Sequence, residues 1–132
     1  TLVDLSPHAG PLLAASLVCA SATAAWLRRH APESVGLVVT GTWSDRDGDE
    51  AHSCADLIEA LLHGDDPPRG PYEARVRASD FGRRFAAGGD PHLTRADLDC
   101  CARADRFDFA MTVERHADGG ITLRRQPVDA PR

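Results

Sequence analysis

The sequence predicts an α/β protein: a layered sheet with flanking helices, early parallel strands and a late antiparallel hairpin. In the first half of the chain, short apolar runs alternate with segments of helical periodicity. Residues 35–40 form a continuous, largely β-branched run of the kind that parallel sheets bury. Near the end, residues 107–114 alternate in polarity, 117–120 read as a turn and 121–125 return as a second strand, which predicts the hairpin.

The chain opens with a predicted strand and helix. The apolar run at 12–17 predicts a short buried strand. Residues 21–30 follow with a helical composition, because alanine has the highest helix propensity and Ser21 can cap the first turn. The basic residues 28–30 suit the negative end of the helix dipole. Residues 1–11 show no such pattern, and we expect them to be poorly ordered or atypical.

A second strand and helix follow, separated by a polar loop. Residues 35–40 predict the strand, and the loop 41–49 lies at its carboxyl end, where open α/β sheets bind their ligands. Residues 50–63 predict the best helix, because apolar side chains recur there at helical spacing. Asp49 can cap its start, and Gly64 can end it in a left-handed conformation.

Three shorter helices are predicted before the hairpin. Residues 72–77 and 80–87 form two of them, and Ser79 separates the pair. Residues 94–104 predict the third, with Thr94 as its N-cap and an aspartate three positions later at the capping-box spacing.

Length and charge bound the class of protein. We interpret residues 1–132 as one α/β domain, with 126–132 poorly ordered or atypical. The net charge of −5 argues against a general nucleic-acid binder, which needs a basic footprint. No apolar stretch approaches the roughly 20 residues of a membrane-spanning helix. With no secretory signal visible, we expect a cytoplasmic protein without a membrane or nucleic-acid partner.

The four cysteines follow no metal-binding or disulfide pattern. Cys19, Cys54, Cys100 and Cys101 include no CxxC pair, so free thiols are expected. Cys19 precedes a predicted helix and could serve as a nucleophile if that helix lowered its pKa; a small buried residue is the simpler interpretation. The adjacent Cys100 and Cys101 suggest no function.

Several long segments together resemble one known family, the 2-phosphosulfolactate phosphatases. The similarity begins with LAASLVCASATAAWL at 13–27, VGLVVTGT at 35–42 and CADLIEALL at 54–62. It continues with RVRASDFGRRF at 75–85, the long stretch at 88–115 and DGGITLR at 118–124. The match is one of element order and spacing over nearly the whole chain from position 12.

The resemblance implies a function and a larger fold. It implies an α/β, Mg²⁺-dependent phosphatase that hydrolyses 2-phosphosulfolactate to sulfolactate on a route to coenzyme M. The substrate would be a small anionic phosphate and sulfonate compound. Proteins of that family are substantially longer, so this chain would be the carboxy-terminal part of the longer fold. The expected partner is therefore a missing amino-terminal half, or further copies of the chain in a homo-oligomer.

Several positions depart from the family pattern. Cys19 stands where the family usually has asparagine, and Thr42 where it usually has glutamate. Glu50 keeps the first member of a usual acidic pair, Ala51 replaces the second, and Asp56 stands where glycine is common. These replacements leave open an alternative, a catalytically degenerate family member that acts as a small-anion or protein-binding module.

The acidic loop and helix start supply the candidate catalytic and metal-binding residues. Asp45 and Glu50 are the catalytic candidates, and Asp49 and Glu50 the candidate ligands of Mg²⁺, with Asp47 beside them. Mg²⁺ takes hard oxygen ligands, and phosphate-ester hydrolysis needs positive charge on the transferring group together with an activated water. The alternative is a solvated acidic loop in which Asp49 only caps the helix.

Three hydroxyl residues are the candidate substrate-binding residues. Ser21 and Thr23 lie at a predicted helix start, where free backbone amides can hold a phosphate. Thr42 lies at the end of the predicted strand 35–40. An ordinary N-cap and a helix-face threonine are the alternative for Ser21 and Thr23.

Overall fold

The computed structural model describes residues 3–40, 48–89 and 91–128. In chain order, the elements are β1 (Leu12–Ala14), a 3₁₀ turn (Leu17–Cys19), α1 (Ala20–His30), α2 (Asp49–His63), α3 (Gly70–Ala78), α4 (Asp80–Ala87), α5 (Arg95–Cys101), β2 (Phe109–Arg115) and β3 (Ile121–Pro127). Helices thus fill the middle of the chain, and strands stand at its two ends. Within these ranges, no helix combines the length and apolarity that crossing a membrane requires.

The strands form one antiparallel sheet in the order β1-β2-β3. Leu12 lies opposite Val113 in the first pair, and Phe109 opposite Pro127 in the second. The predicted α/β class and late hairpin are confirmed. The expected early parallel strands are wrong, because β1 pairs antiparallel with a strand from the other end of the chain.

The other half of the predicted parallel pair, residues 35–40, is not a strand. The side chain of Val38 is 72% exposed, and Val35 and Leu37 are also on the surface. A β-branched run becomes a strand when neighbouring strands satisfy its backbone and bury its side chains. This segment has no hydrogen-bonded strand beside it among the described residues, so its propensity has no effect.

The predicted helices are present, with small shifts at their ends. Gly64 ends α2 with φ 93°, the left-handed conformation that glycine adopts at helix ends without strain. The start of α2 differs from the prediction, because Gly48 is the N-cap and Asp49 is the first helical residue. Asp49 therefore does not cap the helix; its carboxylate is turned toward an arginine on α3.

Local side-chain chemistry separates α3, α4 and α5. Ser79 caps α4, since its Oγ accepts a hydrogen bond from the Gly82 amide at 3.0 Å and donates one to Val76 O at 2.8 Å. Thr94 and Asp97 form the predicted capping box at the start of α5. In each cap, the interacting residues lie three positions apart in the sequence, which is why the cap could be found from the sequence.

The core lies between the helices. Leu57 and Ile58 of α2 are almost fully buried, and burial of each side chain contributes about 2 kcal/mol. Ala20 and Ala24 of α1 are fully buried in the same cluster. Their small side chains let α1 and α2 approach closely. Ala110 of β2 is also fully buried, and α1 packs against this strand.

Candidate functional site

The start of α2 carries the carboxylates that the sequence analysis singled out. Asp49 Oδ1 accepts hydrogen bonds from Arg75 Nε at 2.6 Å and pairs with Arg75 Nη2 at 2.5 Å. Arg75 Nη1 also pairs with Asp56, which lies about two turns further along α2. The hydrogen bonds that Arg75 donates to Asp49 and then to Asp56 raise the pKa of Arg75, so one permanent cation joins two carboxylates of the same helix.

Glu50 lies beside this ion pair and is left without a partner. Its Oε2 atom is buried and accepts no hydrogen bond within the described part of the chain. A buried polar atom without a partner costs about 1–3 kcal/mol, and more when the group is charged. A cation or a donor from a ligand would remove that cost, so Glu50 is the residue of this helix start that calls for a ligand.

The rest of the predicted metal and catalytic set belongs to a segment that the structure does not describe. Thr42, Asp45 and Asp47 fall at positions 41–47, outside the described residues. Among the residues that are described, no group of three or more His, Cys, Asp or Glu side chains could hold a metal ion. Mg²⁺ commonly binds through one or two carboxylates and several waters, so Asp49 and Glu50 remain a chemically suitable pair.

The start of α1 already holds an anion, and that anion is a side chain of the protein. Asp105 Oδ1 accepts a hydrogen bond from the Ser21 amide at 2.8 Å, and Oδ2 accepts one from Ser21 Oγ at 2.6 Å. Arg69 Nε donates to the same Oδ2 at 2.6 Å, and Arg69 Nη2 reaches Ser21 Oγ at 3.1 Å. Ser21, Asp105 and Arg69 therefore form one connected polar cluster.

The electrostatics of this cluster favour an ionised Asp105. Burial by itself would raise the pKa of Asp105, but the hydrogen bonds from Ser21 and Arg69 outweigh it and lower that pKa below the ordinary value. Asp105 has φ 54°, a left-handed conformation that aspartate tolerates better than most residues. The amide of Asp105 donates to Leu17 O at 3.1 Å, which ties this bend to the 3₁₀ turn before α1.

Thr23 is turned into the protein. Its side chain is buried, and Oγ1 donates to Cys19 O, one helical turn earlier, at 2.9 Å. Ser21 and Thr23 both lie near the start of α1, and each hydroxyl has a partner inside the protein. The helix start presents no free amide at Ser21 for a phosphate.

The cysteines are free thiols with different surroundings. Cys19 and Cys54 are buried, and Cys101 is exposed. Burial, with smaller contributions from the nearby Cys19 thiol and Asp105, raises the pKa of Cys54 to about 12. A thiol with so high a pKa is neutral at physiological pH and a poor nucleophile.

Sequence reasoning missed two of the residues that organise these sites. Asp105 meets Ser21 across 84 positions of sequence, and no local pattern connects them. Arg75 was visible as a basic residue, but in a chain whose lysine and arginine positions are all arginine it did not stand out.

Scans against protein-family models, curated proteins and solved structures found no match to the chain.

Proposed function

We propose that this chain is a 2-phosphosulfolactate phosphatase-like protein that binds Mg²⁺ at the start of α2 and hydrolyses the phosphate monoester of a small anionic acid. The observation that supports it is the buried Glu50 Oε2, a carboxylate oxygen without a partner among the described residues. In the sequence, Glu50 follows Asp49 and stands three positions after residue 47. A hard cation is the ligand that best satisfies such an oxygen.

Each residue then has a distinct task. Glu50 and Asp49 would hold the cation, and Arg75, which donates to Asp49 Oδ1, fixes the orientation of that carboxylate. Mg²⁺, when bound, would supply positive charge to the phosphate oxygens. Asp45 is the candidate base that takes a proton from the attacking water while the phosphorus–oxygen ester bond breaks. Thr42 would contact the substrate, as would Ser21 once its hydroxyl left Asp105.

The location and partners belong to the same proposal. A cytoplasmic enzyme with a small anionic substrate agrees with the net charge of −5 and with the four free thiols. The chain would work with an amino-terminal half or as a homo-oligomer, because the catalytic set in the described residues is small.

The decisive experiment is a Mg²⁺ titration followed by thermal unfolding. A cation at ten times its Kd stabilises the folded state by about 1.4 kcal/mol, which raises Tm by about 5 °C for a chain of 132 residues. Glu50→Gln should abolish that rise and also stabilise the metal-free protein by about 1 kcal/mol, since it removes an unpartnered buried charge. Glu59→Gln, an exposed position on the same helix, is the matched control and should keep the full response.

Two outcomes would contradict the proposal. One is an unchanged Tm of the wild-type chain at about 10 mM Mg²⁺, a concentration about ten times a millimolar Kd. The other is a full Mg²⁺ response in Glu50→Gln. Turnover of phosphosulfolactate and of a generic phosphate ester, measured with and without Mg²⁺ on the same folded sample, then tests the hydrolysis separately from the binding.

A second candidate function is a catalytically degenerate binding module of the same fold. The observation that favours it is that the Ser21 and Thr23 hydroxyls already have partners within the protein. In that case the folded chain shows neither a Mg²⁺ response nor turnover. A shift of Ser21 and Arg69 resonances on addition of phosphate would identify a small-anion binder.

A further inference from the structure

The two faces of the sheet have opposite character. Successive residues of a strand point to opposite faces, so the even-numbered side chains of β2 share one face and the odd-numbered ones the other. Ala110, on the even face, is fully buried where α1 packs against β2. Further along this face, Glu114 pairs with Arg124 at 2.6 Å and His116 hydrogen-bonds Thr122 at 2.7 Å. The even face therefore passes from the core into a polar surface.

The odd face is apolar and open to solvent. We call it the apolar sheet face; its apolar members are Leu12, Ala14, Phe109, Met111, Val113, Ile121 and Leu123, with Phe107 stacked on Phe109 at one end. Arg115 lies on the same face at the other end, where its Nη2 donates to Val3 O at 3.0 Å and to Ser6 O at 2.7 Å. Phe107 is 41% exposed, Ile121 43% and Leu123 55%. Phe107 stacks on Phe109 with ring centroids 5.3 Å apart. A contiguous apolar patch of this kind, unlike single exposed leucines, marks a binding surface.

Arginines border the apolar sheet face. The guanidinium of Arg125 lies 4.7 Å from the centroid of the Phe109 ring, and that of Arg106 lies 6.0 Å from the Phe107 centroid. Both guanidinium groups contact these aromatic rings, and neither pairs with a carboxylate in the described part of the chain. The acidic residue of the hairpin strands, Glu114, lies on the opposite face. The strand residues of the apolar sheet face therefore include the cations Arg115 and Arg125 and no carboxylate.

The size of the face limits what can cover it. The seven-residue strands β2 and β3, about 4.8 Å apart and rising about 3.3 Å per residue, give a footprint of about 10 by 23 Å, and the three-residue β1 adds about 5 by 10 Å at one edge. A stable protein dimer usually buries about 800 Å² on each partner, more than twice this footprint. A single helix about 10 Å wide and about 15 residues long matches it.

We propose that the apolar sheet face binds an amphipathic helix of a partner protein, with apolar residues along one side and carboxylates flanking them. The apolar stripe would cover Phe109, Met111 and Leu123, and the carboxylates would pair with Arg106 and Arg125. A second copy of this chain that docked through the same face would present the same arginines and no carboxylate from its strands, so that symmetric contact lacks the complementary charge. The aliphatic residues of the face and the net charge of −5 disfavour a nucleic acid.

This inference is independent of the metal site, and its test does not depend on Mg²⁺. The probes are two fluorescent 15-residue helical peptides with the same leucine stripe, one flanked by glutamate and one by lysine. Fluorescence anisotropy should give a micromolar Kd for the glutamate peptide and at least tenfold weaker binding of the lysine peptide. High salt should reduce that difference, because it screens the flanking charges.

Variants of the face assign the binding to it. Leu123→Ser should weaken binding of the glutamate peptide at least tenfold. The variant should fold, because Leu123 is more than half exposed. Arg125→Glu should reverse the preference toward the lysine peptide. Arg84→Glu carries the same change of charge on α4, which packs against α2, α3 and α5, and should leave both affinities unchanged. Circular dichroism spectra of all variants should match the wild type.

Several outcomes would overturn the proposal. Equal affinities for the two peptides would show that the arginines do not select the partner. An unchanged affinity of Leu123→Ser for the glutamate peptide would show that the peptide does not bind to this face. A concentration-dependent dimer that Leu123→Ser dissociates would make this face a contact between copies of the chain. Tighter binding of a 15-nucleotide single strand or of anionic phospholipid vesicles, lost in Phe109→Ala, would assign the face to a different class of partner.

Discussion

Replacement of Asp105 by asparagine tests the central polar cluster of the fold. Asp105 joins the start of α1 to Arg69, and its carboxylate is the acceptor for the Ser21 amide, the Ser21 hydroxyl and the Arg69 guanidinium. Asparagine keeps one acceptor oxygen and tolerates the left-handed backbone at φ 54°. The substitution therefore removes the charge and one acceptor without disturbing the bend.

The magnitude follows from the contacts that are lost. A hydrogen bond to a charged group contributes about 1.5–3 kcal/mol, and two of them involve Asp105 Oδ2 at 2.6 Å. The Asp105 side chain is 24% exposed and that of Arg69 27%, so solvent weakens both and the lower end of the range applies. We expect Asp105→Asn to lower the free energy of unfolding by about 3 kcal/mol. Asp105→Ala should cost about 2 kcal/mol more, through the lost cap and the left-handed strain.

Urea unfolding followed by circular dichroism measures the change. With an m-value of about 2 kcal/mol/M, a loss of about 3 kcal/mol lowers the midpoint by about 1.5 M. Asp99→Asn is the matched control, because Asp99 pairs with Arg77 at an exposed site and should change stability by less than about 0.5 kcal/mol. A midpoint for Asp105→Asn equal to that of Asp99→Asn would refute the reasoning.

The same carboxylate gives a pH dependence with a definite sign. Because the folded-state pKa of Asp105 lies below its ordinary value of 3.8, ionisation favours the folded state. Its contribution is complete above the unfolded-state pKa and disappears as the pH falls through the lower, folded-state pKa. The stability difference between wild type and Asp105→Asn should therefore be constant from pH 5 to 7 and shrink below about pH 4.

Three further predictions address packing, capping and thiol chemistry. Gly82→Ala should destabilise the protein by about 2 kcal/mol although alanine favours helices, because its Cβ would overlap backbone carbonyls of α3. Gly36→Ala, with open space around it, is the control in thermal unfolding. A stabilised Gly82→Ala would contradict this packing. Thr94→Ala should cost about 1 kcal/mol through the lost N-cap, and an unchanged Tm would argue that α5 needs no cap. Iodoacetamide at pH 8 should label the exposed Cys101 first and Cys54 only after unfolding, and mass spectrometry showing equal rates would contradict the burial of Cys54.

Elements with strong local signals could be predicted from the sequence. The helix at Asp49–His63 follows from the apolar spacing and from Gly64, and the helix at Arg95–Cys101 from the capping box at Thr94. The hairpin at the carboxyl end follows from alternation around a glycine-containing turn. In each case the residues that decide the structure lie within a few positions of one another, so one short window contains the cause.

The candidate site could be predicted only in part. The sequence indicated Glu50 and Asp49 as neighbours at a helix start, since adjacency on a helix is a local property. It did not indicate that Arg75 neutralises Asp49, or that Glu50 Oε2 is left without a partner in the described structure. Burial and pairing depend on what the rest of the chain brings to the same place.

By itself, therefore, the sequence determined which segments are helical, where most of them end, and that a hairpin closes the described fold. The tertiary structure alone decided that β1 pairs antiparallel with β2, that residues 35–40 stay outside the sheet, and that Asp105 caps a helix 84 positions away. A strand needs a neighbour to satisfy its backbone, and a buried charge needs a partner to offset its desolvation. Both requirements are met by residues distant in sequence, and no local pattern records which residues those are.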